Sequence, residues 1–582
     1  VKLRSKYLRV TAATALLATP IGVMGSMPTA QADTTNWVAT HTQAFVPTNA
    51  TNLGSLPAST ELTVVIGLQM QNQSGLEQYI QDISTPGNAL YGQTLTPSQF
   101  EATYSPSSST VDAVTSYLES QGLSNIQVSA NRLLITATGT AQQLESAFNT
   151  QIDQFSMNGR TVYANVDPAY VPSSLGGAVV AVLGLTNAAQ MQLPLATPTP
   201  TTSTSLPNYP ASYNPQGFWK AYNIGNTPQA TGTNIAIFAE GNLTQVVQDL
   251  RTEEAANQLP QVPYTIVQVG IASNDTSGAD EWDLDTQYST GMAGNVAHLY
   301  IYDTTSLTDS DIAREFNKFA EQDVAKAGSA SFGECEYDAY LDGSMLVDDE
   351  VFAEAAAQGQ TTFASAGDTG GFCAVTPTNG VPAGVPDVNY PASSPYVVAV
   401  GGTTLITNSD GSYDEELAWT GGGGGTSYFE SAPYWQNGIV PPTTNVGKGL
   451  PDIAMDADPN SGANVYVDGS PEVVGGTSLA SPLALGVWAR LETSHNNQLG
   501  FAAPLLYGVY GSDGFHDITL GDSGPYPATP GWDFATGLGS FDVSNMNTVM
   551  DQYAPMQTAP APAPAPGPAP GPAPAPGSQP AP

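Results

Sequence analysis

Histidine is nearly missing from this chain, four residues in 582, and that scarcity excludes the commonest way of activating a hydroxyl nucleophile. His41 lies in the N-terminal region, His298 in the apolar run Val-Ala-His-Leu-Tyr, His495 in a polar Asn-rich stretch, and His516 before an aspartate in a turn-like segment. None stands in the His-Gly-Thr setting of a serine hydrolase's base, and each reads as a packing or surface residue. Lysine and arginine are also scarce, 13 against 52 Asp and Glu for a net charge of −39, which excludes the basic surface that nucleic acid requires. Beyond the N-terminal region no stretch approaches the roughly 18 to 20 apolar residues needed to cross a bilayer. A released protein is expected rather than an anchored one.

The few basic residues are unevenly placed. Lys2, Arg4, Lys6 and Arg9 crowd the first nine positions, ahead of an apolar stretch around Thr11 to Met24 and the small-residue sequence Ala30-Gln31-Ala32. This predicts a secretory signal peptide over 1–32 and a secreted, extracellular protein. Beyond position 206 only seven Lys or Arg remain, so protonating the carboxylates in strong acid would leave little positive charge to repel itself. An acidic environment is expected, a neutral or salty one being the alternative. In an exported chain the two cysteines, Cys335 and Cys373, read most economically as one disulfide, with two reduced buried thiols as the alternative. Such a bond would close a loop of about 38 residues, worth roughly 4 kcal/mol on a chain-entropy argument.

Two Pro-rich stretches divide the chain. Residues 191–209 form a Pro/Thr/Ser-rich linker open to proteases, and 554–582 a Pro-Ala-Gly tail that cannot build a core. Between signal and linker, 33–190 alternates strand-like runs (Glu61 to Met70, Arg132 to Ala137) with helical ones (Val111 to Gln121, Ala141 to Phe148), an α+β unit. Ahead of a cleavable linker it reads as a propeptide, an independent binding domain being the alternative. From 210 to 553 strands and helices interleave: Asn234 to Ala239, a helix near Val246 to Asn257, Val296 to Tyr302, a helix near Ser310 to Ala327, Thr361 to Ala366, and Tyr396 to Val400. That order predicts an α/β domain, a parallel sheet with helices on both faces and its chemistry beyond the strands' carboxyl ends.

The chemistry-bearing segment is Gly475-Gly-Thr-Ser-Leu-Ala-Ser-Pro482, which runs into an apolar helix and sets a hydroxyl, Ser478, at the helix mouth. Pro482 suits the first helical turn, and the helix N-terminus favours nearby negative charge. With no usable histidine, the base must be another group. Glu281 and Asp285, four residues apart in a helical segment that leads to a buried strand, share one face as paired carboxylates. Asp368 follows the strand-like Thr361 to Ala366, at the sheet's active edge. Asp368-Thr-Gly and Asp522-Ser-Gly also imitate the two turns of an aspartic peptidase, but such a fold would be all-β and would leave Ser478 and Glu281 unexplained. Gly521-Asp-Ser-Gly-Pro525 imitates another serine-peptidase motif without a matching histidine. A catalytically silent secreted binding protein is the third alternative.

Glu281-Trp-Asp-Leu-Asp285, Ser331-Phe-Gly333, Ala366-Gly-Asp368-Thr-Gly370, Tyr390-Pro-Ala-Ser-Ser-Pro395, Gly401-Gly-Thr403, the glycine run Gly421 to Gly425 and Gly475-Gly-Thr-Ser478 together resemble the sedolisin, or serine-carboxyl, peptidase family, near its kumamolisin branch. Tyr91-Gly and Leu95-Thr-Pro97 extend the resemblance into the propeptide. It implies a subtilisin-like fold behind a ferredoxin-like activation domain. Ser478 would be the nucleophile, Glu281 its base, Asp285 the support of Glu281, and Asp368 an oxyanion donor. Ser331, Phe332 and Gly333 would form an extended strand pairing with substrate backbone. One Ca2+ ion would be held by Asp517, the carbonyls of Ile518, Thr529 and Gly531, and Asp533. The implied partners are protein or peptide substrates and the chain's own propeptide as inhibitor, in a monomer that engages neither nucleic acid nor membrane.

Overall fold

The computed structural model describes residues 36–197, 212–373, 385–443 and 447–553; the signal-peptide and tail expectations, and 198–209 of the linker, lie outside them. Within 61–183, four strands, β1 (Glu61–Leu68), β2 (Ser124–Val128), β3 (Leu134–Thr140) and β4 (Val179–Leu183), form an antiparallel sheet in the order β2-β3-β1-β4. Helix α1 (Ser108–Ser120) precedes β2 and α2 (Ala141–Ala147) follows β3, so the βαββαβ order and sheet topology are ferredoxin-like. Thr140 caps α2 by accepting from the Gln143 amide, and Gln143 returns a side-chain bond to the Thr140 backbone. This capping box turns the chain directly from strand to helix.

Strand β1 explains how this sheet is used. On a half-buried strand alternate residues should be polar, yet Val64, Val65, Ile66 and Leu68 are all buried. Leu62, Val64 and Ile66 pack against Val111, Val114 and Leu118 of α1 and Leu144 of α2. Val65, with Leu134, Ala181 and Leu183, instead joins the core of the following domain. The second face therefore docks on helices α5 (Asp309–Gln322) and α6 (Ser344–Ala357) of that domain, and its runs are apolar on both sides, as sheets covered on both faces require. Polar bonds pin the edges: Met70 N–H and Gln69 donate to Glu350, and Asn131 donates to Glu354 at 2.6 Å and Asn317 at 2.7 Å.

The larger domain is built on β5 (Ala230–Glu240), β6 (Tyr264–Gln268), β7 (Val296–Thr304), β8 (Ala327–Ala330), β9 (Thr361–Ser365), β10 (Val397–Thr407), β11 (Tyr413–Ala418) and β12 (Ile453–Asp456). The order is β6-β7-β5-β8-β9-β10-β11, with β12 also paired to β10, and every pairing is parallel except the β10–β11 hairpin. Helices α3 (Thr244–Ala256), α4 (Ala279–Ala293) and α7 (Thr477–Ser494) complete the frame. Helix α7 is buried all round from Thr477 to Glu492, which explains its near-continuous apolar sequence.

Two local expectations change. The helix expected near 310–327 ends at Gln322, and Ala327 opens the central strand β8. Its sequence, Ala-Gly-Ser-Ala, carries no β-branched residue because the sheet leaves it no room: a Cβ on Gly328 would lie 2.9 Å from the Phe238 ring. Pro482 stands inside α7 rather than in its first turn. Lacking an N–H, it leaves the Ser478 carbonyl without its usual helical donor. Among the described residues no helix is long and apolar enough to cross a membrane.

Candidate active site

Helices α4 and α7 lie against each other, and both present small or polar residues at the contact. Ser478 is the second residue of α7; Glu281 and Asp285 lie one turn apart on α4, and all three are fully buried. The turn into α7 depends on Gly476 at φ 107°, where L side chains are strained. A Cβ there would also lie 2.1 Å from the Pro194 carbonyl oxygen and 2.7 Å from Oδ2 of Asp368. Asp368 comes three residues past β9. Its Oδ1 accepts from the Thr477 amide at 2.7 Å and the Thr477 hydroxyl at 2.9 Å, so the residue before Ser478 aims this carboxyl. The sequence motif alone did not show that role for Thr477.

The three acids differ in how they are held. Asp285 accepts from the Ser331 hydroxyl at 2.6 Å through Oδ1, and the same hydroxyl lies 3.4 Å from the Ser478 carbonyl that Pro482 leaves open. Oδ2 of Asp285, Oδ2 of Asp368 and both oxygens of Glu281 are buried without a hydrogen-bond partner. Burial, and after it the charge of Asp285, pushes the Glu281 carboxyl well above the ordinary carboxylate range, against the neighbouring Ser478 hydroxyl. Burial pushes Asp285 the same way, with the Ser331 bond opposing. Burial also pushes Asp368 up to about 7, with the Thr477 amide and hydroxyl opposing. The charge of Asp285 raises Glu281 further, so ionising one of the two opposes ionising the other and they titrate as a pair.

The expected substrate strand at 331–333 is present in part. Ser331 is committed to Asp285, and the Phe332 side chain faces the core, its ring centroid 5.9 Å from that of Phe316 and 6.3 Å from that of Trp282. Alternate side chains of an extended segment point to opposite sides, so this ring anchors the segment from behind and leaves Phe332 only its backbone for the pairing with substrate that was expected. Gly333 alone makes backbone pairs, and its partner is the linker: Gln192 N–H donates to the Gly333 carbonyl at 2.8 Å and Gly333 N–H to the Gln192 carbonyl at 3.0 Å. Farther on, Ala196 and Gly475 exchange bonds of 3.2 and 2.8 Å. Between the two bridges the Ser478 hydroxyl donates to the Pro194 carbonyl at 3.0 Å.

Cys335 and Cys373 form a disulfide with Cα atoms 5.5 Å apart, tying the segment beyond Gly333 to the loop beyond Asp368. Asp387 is the third member of the only trio of His, Cys, Asp or Glu among the described residues close enough for an ion, and the disulfide removes that trio as a metal centre. The residues expected to hold calcium lie elsewhere. Asp517 accepts from Gly531 N–H through both oxygens at 3.1 Å, while Oδ2 of Asp533 accepts from Thr529 N–H at 2.6 Å. Ile518 packs on Ala528 and Ala535, and Oδ1 of Asp533 accepts from the amides of Ala535 and Thr536, so both carboxylates border the carbonyl-bearing turn 529–531. This all-oxygen set fits a hard cation such as calcium.

The remaining imitations dissolve. Asp522 sits exposed in a turn and accepts from Gly524 N–H, far in character from the buried Asp368. His495 bonds Leu491 and Asp551, His298 bonds Thr265, and His516 stacks on Tyr413; none contacts Ser478.

Residues 48–188 match the family model "Pro-kumamolisin, activation domain", and 265–504 match "Subtilase family". Sedolisin of Pseudomonas sp. (strain 101) is 38% identical over 88% of this chain and 92% of its own length. Xanthomonalisin of Xanthomonas sp. (strain T-22) is 37% identical over 88% of this chain and 72% of its own length. The structure of Pseudomonas sedolisin, a serine-carboxyl proteinase complexed with two molecules of pseudo-iodotyrostatin, superposes with a TM-score of 0.56 at 37% identity, covering 59% of this chain and 98% of that one. The chain therefore belongs to the sedolisin family of serine-carboxyl peptidases, with an activation domain ahead of a subtilisin-like catalytic domain.

Proposed function

We propose that this chain is an acid-active endopeptidase that is exported as a zymogen, in which Ser478 attacks the peptide carbonyl and Glu281 takes its proton. The carrying observation is the Ser478 hydroxyl set on a peptide carbonyl, that of Pro194, with a buried carboxyl and no histidine beside it. Glu281 acts as the ionised member of its pair, and Asp285 holds the shared proton through the oxygen that Ser331 leaves free. Asp368, kept protonated, donates its hydrogen bond to the oxyanion together with the Ser478 N–H, in the manner of other preorganised oxyanion donors. A histidine base would be protonated in acid; a carboxylate pair bearing one proton still accepts another.

This arrangement works only between two ionisations. Below the lower one the Glu281–Asp285 pair takes a second proton and the base is lost. Above the upper one Asp368 ionises and a donor becomes a like charge. With substrate filling the cleft as the linker does, the alkaline limb of kcat should fall as pH rises through about 7, the value at which burial holds Asp368. Asp368→Asn should flatten that limb, because an amide donates at every pH. The pH profiles of kcat for wild type and variant test this. A wild type most active above pH about 8, while demonstrably folded, overturns the protonated donor.

Calcium is proposed to bind at Asp517 and Asp533 with the carbonyls of Ile518, Thr529 and Gly531. It supplies charge that holds two loops together and takes no part in the chemistry at Ser478. Chelation of metal-replete protein should lower the melting temperature by several degrees, as loss of a tightly bound ligand does, and Asp517→Ala should do the same. An unchanged melting temperature in excess chelator, with bound metal measured beforehand, removes the assignment.

A further inference from the structure

We propose that Pro194–Leu195 is the first bond this chain cuts in itself, and that Pro194 slows the cut. The inference rests on the reading of Ser478 as nucleophile and adds to it the bond and the brake.

The linker enters the cleft in a defined register. Gln192 and Gly333 exchange two backbone hydrogen bonds in an antiparallel bridge, and Ala196 and Gly475 exchange two more. The two anchor points are four residues apart, and Pro194 is the residue midway between them. Its carbonyl receives the Ser478 hydroxyl and lies against Gly476, where a Cβ would be 2.1 Å from the carbonyl oxygen and 2.7 Å from Asp368. One peptide group is thus set at the nucleophile and at the start of α7, with Asp368 beside the same glycine. Leu193 and Leu195, on either side, pack their side chains on the main apolar core. A chain anchored on both flanks of a carbonyl at the nucleophile is positioned as a substrate.

The step balances without a co-reactant other than water. Ser478 Oγ bonds to the Pro194 carbonyl carbon as its proton passes to Glu281. The bond to the Leu195 nitrogen breaks, and that nitrogen takes the proton. Water then releases Pro194 as a carboxylic acid and restores the Ser478 hydroxyl, leaving Leu195 as a new N-terminus.

The brake follows from the register. The Gln192–Gly333 bridge stands alone; in an antiparallel ladder hydrogen-bonded pairs recur every second residue, so extending it by one such pair would set residue 194 opposite Ser331. An ordinary residue at 194 would donate its N–H there; proline has none. The bond closest to the scissile carbonyl is therefore missing while both outer bridges hold. The linker occupies the cleft but is held least firmly at the reacting group.

The test is to transfer the purified full-length precursor to acid at several dilutions, quench early, and read intact masses and new N-termini. The earliest new N-terminus should be Leu195, formed at a rate independent of protein concentration. Pro194→Ala, which supplies the missing donor, should cut at the same bond about two- to tenfold faster, the effect of one ordinary hydrogen bond. An earliest cut at any other bond, with Ser478→Ala remaining whole, overturns the site while leaving the nucleophile intact. A Ser478→Ala precursor that still processes overturns the nucleophile and this inference together. An unchanged or slower first cut in Pro194→Ala overturns the brake.

Discussion

Ser478→Ala should leave the precursor whole in acid and lower turnover of a denatured protein substrate by about 10⁵- to 10⁶-fold, the loss seen when a serine nucleophile is removed from a comparable unit. The fold should survive, because Ser478 gives up only its hydroxyl's bond to the Pro194 carbonyl and its contact with Glu281; α7 keeps its apolar packing and Asp368 keeps Thr477. Intact mass after acidification and a melting curve at the same pH check both halves. Normal processing by the purified, folded variant would move the nucleophile elsewhere. The effect is this large because Glu281 and Asp368 act on the serine and on the oxyanion it creates, so neither has a separate route to the same product.

The same inactive variant allows the second large effect to be measured without self-digestion. The precursor should be most stable in acid, and its melting temperature should fall by about 10 °C or more between pH 4 and pH 7. Burial pushes Glu354, Glu350, Glu336 and Asp283 up to about 8 and Glu492 up to about 7. It raises Glu315, Glu334, Asp342 and Asp348 well above the ordinary range as well. Unfolded, these groups titrate near 4. Between that point and about 8 the folded chain holds more protons than the unfolded one, so stability is complete below about pH 4 and is lost as pH rises. A single fully buried group such as Glu354 accounts for a difference on the order of 3 kcal/mol between pH 4 and pH 7. Cations to offset the charges are few: among the described residues Lys448 and Arg490 are the only buried Lys or Arg side chains, and Lys448 is committed to Asp452 at 3.1 Å. A melting temperature equal or higher at pH 7 would mean that these carboxyls gain water or partners on ionising. Glu350 and Glu354 lie where the activation domain docks, so its hold on the catalytic domain should weaken along with the fold as pH rises. Release in acid therefore needs a cut in the linker rather than a change of charge at this face.

Much of this architecture was legible in residue patterns, for reasons that are local. Apolar runs marked β1, β7 and β9, and the helical repeat marked α1 to α3, because both depend on residues close together in sequence. The spacing of Glu281 and Asp285 placed both on one face of a helix before any partner was known. Strand β8 escaped because its small residues answer a tertiary demand, the Phe238 ring against Gly328. The inward direction of the Phe332 ring was not legible in the motif, because it is set by Phe316 and Trp282, which come from other parts of the chain.

What the sequence determined by itself was the chemistry available: a serine at a helix mouth, acids in place of histidines, and too few cations to repel one another in acid. Each follows from residue types and short spacings, which the chain carries in any conformation. Only the tertiary structure decided which acid meets which group. Asp368 is 110 residues from Ser478 along the chain, and its aim comes from Thr477; Ser331, just past β8, reaches Asp285 on α4; and the linker's register comes from Gly333 and Gly475, two backbone segments far apart in sequence. Such contacts are set by how the sheet and helices close on one another, and no local pattern encodes them.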